Sequence, residues 1–61
     1  MKKFVLYAAA DGVYAGLKGA TVTAEETKEA AVVFDSAVDN VMIKQRFYNA
    51  VTGCSFKAVA L

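Results

Sequence analysis

The sequence predicts an α+β fold in the order ββαββ, with one amphipathic helix packed on one face of a four-stranded, mainly antiparallel sheet. Three observations lead there. Residues 23–41 keep a helical apolar period, the stretches before and after them are apolar or alternate at a period of two, and each of those stretches is divided by a turn signal. Sixty-one residues make a single domain, residues 1–61, and a chain this short buries only about 60% of its unfolded surface, so association is expected to add to its stability.

Residues 2–10 form a continuous apolar run that meets Asp11-Gly12, a dipeptide suited to a two-residue type I′ hairpin turn. That turn sets Ala10 opposite Val13, Ala8 opposite Ala15 and Leu6 opposite Leu17. With Phe4 added, one side of the hairpin is wholly apolar. The reverse side carries Lys3, Val5, Tyr7, Ala9, Tyr14, Gly16 and Lys18. Gly16 and Gly19 weaken the second strand or mark a bulge, which places it at an edge, while the apolarity of the first strand suits a central position.

The helix is expected over residues 24–40. At about 100° per residue, Thr27, Ala30, Ala31, Val33, Phe34, Ala37, Val38 and Val41 fall on one side, with Val32 out of pattern, and the charged and amide side chains fall on the other. Thr23 and Glu26 have the spacing of a capping box. Phe34 is the expected core anchor of this helix.

Residues 41–48 alternate, and Val51-Thr52-Gly53 reads as a type I turn closed by a left-handed glycine, so residues 54–61 return as the last strand. A helix over residues 39–51 is the competing reading, but its apolar residues scatter around the wheel. In the hairpin register Phe47 faces Phe56, Gln45 faces Ala58 and Ile43 faces Ala60 against the helix. Met42, Lys44, Arg46, Tyr48, Ser55, Lys57, Val59 and Leu61 are left on the reverse.

Chemistry is sparse in this chain. It has no histidine, one cysteine, and five of its six acids between Glu25 and Asp39, so the usual acid, base and nucleophile sets are missing and no catalytic residue, cofactor, metal ligand or small-molecule substrate is expected. Asp35 with Asp39, and Glu25 with Glu29, sit one helical turn apart in this reading and are a solvated polar face. Residues 16–19 lack the spacing of a phosphate loop. Cys54 reads as a small hydrophobe at the start of a strand. A lone cysteine and an apolar run too short for a signal peptide or a bilayer span predict a cytoplasmic protein with no membrane partner.

What rises above background is the uncovered sheet face, where Tyr7, Tyr14 and Tyr48 are expected with Lys18, Lys44, Arg46, Lys57, Val5, Met42 and Val59. Aromatic, methionine and arginine side chains are typical of protein interfaces. The expected function is therefore a small non-enzymatic binding protein, a regulator or inhibitor of the kind found among phage or bacterial accessory proteins, that forms a homodimer or docks on a protein through this face. The alternative is a single-stranded nucleic-acid-binding module, in which the tyrosines stack bases and the cations meet phosphates. The net charge of +1 speaks against strong nucleic-acid binding.

Overall fold

The computed structural model describes residues 3–61; Met1 and Lys2, where the predicted first strand begins, lie outside them. The chain runs β1 (Lys3–Ala8), β2 (Val13–Lys18), β3 (Thr21–Glu25), a single 3-10 turn (Lys28–Ala30), β4 (Phe34–Asp35), α1 (Val41–Thr52) and β5 (Lys57–Ala60). The predicted class holds, with one helix packed against an antiparallel sheet, but the helix lies later in the chain than expected. Residues 24–40 are not helical apart from the 3-10 turn, and residues 41–48 are helix where a strand was expected.

β1 is central, as its apolarity suggests. β5 lies along one side of it, while β2 and β4 share the other. The hairpin register is Ala8 opposite Val13 and Tyr7 opposite Tyr14, two residues from the expected one. The loop widens to residues 9–12, where the amides of Asp11 and Gly12 both donate to the Ala8 carbonyl at 3.2 and 2.8 Å. Only Gly12 is left-handed, at φ 66°. A type I′ turn would force Asp11 there too, whereas the wider loop needs one such residue and glycine adopts it without steric cost. A slip of two residues leaves every side chain on its expected face.

β2 is not an edge, because β3 pairs along it through a two-residue turn at Gly19 (φ 60°) and Ala20. Gly16 is covered by Thr23 and Glu25, whose side chains would collide with any Cβ placed there. The Thr23 hydroxyl donates to Glu25 Oε2 at 2.5 Å and caps no helix. Thr21, Val22 and Thr23 are β-branched neighbours suited to a strand.

β2 then parts from β1, and the segment before β4 enters beside it. The Val32 amide donates to the Ala15 carbonyl at 3.0 Å, and Phe34 and Asp35 pair with Phe4 and Lys3. Asp35 next turns the chain by local bonds that compete with a helix: its Oδ1 accepts from the Ala37 amide at 2.9 Å, and its carbonyl accepts from Val38 and Asp39 at 2.9 and 2.7 Å.

Both ends of α1 are capped. Asn40 Oδ1 accepts from the Ile43 amide at 3.0 Å, and Gly53, left-handed at φ 75°, donates its amide to the Asn49 carbonyl at 2.8 Å. Gly53 thus has the expected backbone state but ends a helix instead of closing a hairpin.

The core is Phe4, Leu6, Ala8, Ala15, Phe34, Tyr48 and Phe56. Phe34 stacks on Phe4 at 5.2 Å and receives the Tyr48 ring edge-on at 5.6 Å. It is the anchor expected, delivered by a strand. Phe47, expected to face Phe56 in the core, points outward instead.

The helix also closes a sheet edge. The Leu61 amide donates to the Lys3 carbonyl at 3.0 Å, so alternate residues of β5 address β1 and those between turn away from it. The outward groups meet α1: Asn49 accepts from the Phe56 amide at 2.6 Å and donates to its carbonyl at 3.3 Å, and Gln45 accepts from the Ala58 amide at 3.2 Å. Two side-chain amides supply partners that a further strand would otherwise provide.

Candidate binding faces

Strand pairing gathers six of the ten predicted binding residues on the sheet face turned away from the core. Tyr7 stands opposite both Tyr14 and Lys57, Val5 opposite Val59, and Lys18 opposite Thr21. The tyrosine rings lie 4.6 Å apart at 41°, a cross-strand aromatic pair. Val5 beside them is fully buried, so this face carries a small covered centre of its own. Around it, Val59 and Leu61 remain exposed, as does Val33, which lies one residue before β4 on the same side as Asp35. Lys3 and Asp35, opposite each other at the rim, form an exposed ion pair at 3.6 Å.

The other four predicted residues belong to α1 and leave this face. Tyr48 is buried in the core, and burial, with the negative charge of Asp39 second, raises its phenol above the usual tyrosine range. Lys44 reaches Asp39 at 3.7 Å and places its ammonium 5.6 Å from the centre of the Phe34 ring. Met42 and Arg46 are exposed on the helix. Sequence reasoning scattered them because a strand at period two and a helix at 3.6 sort the same residues differently.

Compared with known proteins, the chain matches no family model, no curated protein and no solved structure.

The helix correction exposes a second face that the strand reading hid. Ile43, Phe47 and Val51, spaced by four, form a stripe about a third of a turn from the side that carries Val41, Tyr48 and Thr52, and all three are more than half exposed. The stripe was detectable in sequence from that spacing between Asn40 and Gly53, an N-cap and a C-cap residue thirteen apart. The chain exposes 3991 Å² in all, close to the roughly 3,800 Å² typical of a folded chain of this mass. The outward apolar residues therefore reflect where side chains are placed, not loose packing.

Among the described residues, no three His, Cys, Asp or Glu side chains stand together as metal ligands, no pocket is present, and no helix is long and apolar enough to cross a membrane. Cys54 is a free, half-buried thiol packed against the core.

Proposed function

We propose that this is a small non-enzymatic binding protein, of regulator or inhibitor type, that takes a protein partner on its tyrosine-bearing sheet face. The observation supporting it is the Tyr7–Tyr14 pair at 4.6 Å, on the same sheet face as a buried Val5 and exposed Val59 and Leu61. Paired tyrosines offer rigid contact area at low entropic cost, and the aliphatics extend that area where solvent favours polar side chains. Lys18 and Lys57 lie on the same face and suit a partner surface with acidic groups at its margin.

The same geometry weakens the nucleic-acid alternative. Lys44, Arg46 and Tyr48 stand on the helix, Lys3 is paired with Asp35, and Glu25 faces Tyr14 across the strands. A base-stacking surface would lose one of its three tyrosines and much of its positive charge. The test is affinity capture from host-cell lysate with the parent and with Leu61→Glu and Tyr7→Glu, each checked for folding by circular dichroism. The reading predicts a protein retained by the parent at both low and high salt and lost with either variant. Retention unchanged by both variants rules it out. Binding of a labelled single-stranded oligonucleotide that falls steeply with salt would favour the alternative.

A further inference from the structure

We infer that the helix stripe Ile43, Phe47 and Val51 is a self-association surface, on which a second copy of this chain packs its own α1 antiparallel across a two-fold axis at Phe47. The inference stands apart from the sheet-face reading, because α1 and the tyrosine face lie on different sides of the sheet.

Exposure comes first. Met42 is 52% exposed, Ile43 65%, Phe47 54% and Val51 55%. Met42 points to another side of the helix, but Ile43, Phe47 and Val51 together leave roughly 350 Å² of mostly apolar side chain in water, within the range of the largest patch on a whole monomer, here concentrated on a single twelve-residue helix. Phe47 meets Tyr48 edge-on at 5.5 Å, so its outer surface is free to take a neighbour.

The pattern then selects the occupant. A two-fold contact must be self-complementary, so residue 47−n of one copy meets residue 47+n of the other. Ile43 then meets Val51, two branched aliphatics of similar size, and the large aromatic sits at the centre beside its own mate. Residues spaced by four form a continuous ridge that seats in the matching groove of a second helix. Arg46, next to the stripe, can lay its stem along the contact and keep its charge in water. No acid lies within α1, so no carboxylate is buried by the pairing.

The area is also adequate. With Ala50 and the stem of Arg46 added, such a pair would bury roughly 450 to 500 Å² per copy, below the ~800 Å² per partner of a standard interface and near the ~1,000 Å² total that a specific contact needs. A weak dimer that dissociates in the high micromolar range is the expected result.

The register makes a reciprocal test possible. Sedimentation equilibrium of the full chain should give twice the 6.5 kDa chain mass at high micromolar concentration. Ile43→Lys and Val51→Glu, both at exposed positions, should each weaken the dimer about 100-fold or more while circular dichroism stays unchanged. The double variant Ile43→Lys with Val51→Glu should recover the dimer, because each substituted lysine then meets a substituted glutamate of the other copy, and the pair occurs twice in the dimer. Tyr7→Glu should leave it intact. A parent that sediments as a monomer throughout the micromolar range overturns the inference. So does a dimer that survives Ile43→Lys but is dissolved by Tyr7→Glu, or a double variant that stays monomeric.

Discussion

At the scale of single residues, the molecule depends on a few side chains whose positions decide more than their chemistry. Phe34 touches Phe4 from one side and Tyr48 from another, joining β4, β1 and α1 in one aromatic contact. Phe34→Ala should cost about 3 to 5 kcal/mol, against a total of roughly 3 to 9 kcal/mol for a chain of this size. Chemical denaturation should then find the variant largely unfolded, and a midpoint close to the parent's would show that the cluster is not central. Tyr48 gives a pH signature. Its phenol is raised by burial first and by Asp39 second, whereas an unfolded tyrosine loses its proton near pH ~10. Above that pH the folded state holds the proton that the unfolded state has lost, so stability complete below pH ~10 falls as pH rises past it. Urea midpoints at pH 8 and pH 11 should therefore differ more for the parent than for Tyr48→Phe. Equal differences would mean that the phenol is not protected.

At the scale of elements, strand β1, the two faces of the first hairpin and the left-handed Gly12 and Gly53 were legible in the sequence, because alternation and turn chemistry are local. The place of the helix was not. Residues 23–41 carry a helical period, yet β-branched residues recur through them and Asp35 binds the amides that follow it, so a chain able to form a weak helix forms β3, a turn and β4 instead. Residues 41–52 scatter their apolar groups around the wheel because they form a helix with two apolar sides, one buried through Val41 and Tyr48 and one exposed through Ile43, Phe47 and Val51. A search for a single stripe passes over such a helix. The same misplacement moved Tyr48, Lys44, Arg46 and Met42 off the predicted face while leaving Val5, Tyr7, Tyr14, Lys18, Lys57 and Val59 on it. The caps decide the matter, and they are testable. Asn40→Ala should cost about 1 kcal/mol by leaving the Ile43 amide without its acceptor, and Gly53→Ala about 1 to 2 kcal/mol through the left-handed backbone. Thr23→Ala, at the cap position of the helix that does not form, should shorten no helix in NMR secondary shifts.

At the scale of the whole molecule, α1 both roofs the core and closes the outer edge of β5, and the last strand is held from two directions. β1 bonds it along one side, and Asn49 and Gln45 hold Phe56 and Ala58 along the other. The opposite end of the sheet is held less completely. β2 pairs with β1 only near Tyr7 and Ala8, and beyond that point the β2–β3 hairpin is held by the Val32 bond to Ala15 and by the packing of Ala15 and Val22 in the core. This asymmetry predicts a graded response to opening, since regions with fewer buried contacts open below the global free energy. In hydrogen exchange followed by NMR, the β1 amides that pair with β5 should exchange slowest, at the rate set by global unfolding, and those around the Gly19 turn fastest. Asn49→Ala removes both bonds to Phe56 and should cost about 1 to 3 kcal/mol, accelerating exchange in β5 and in its β1 partners together. If β5 alone accelerates while β1 keeps its protection, the helix-to-edge bonds secure only a local flap, and the centre of the sheet stands without them.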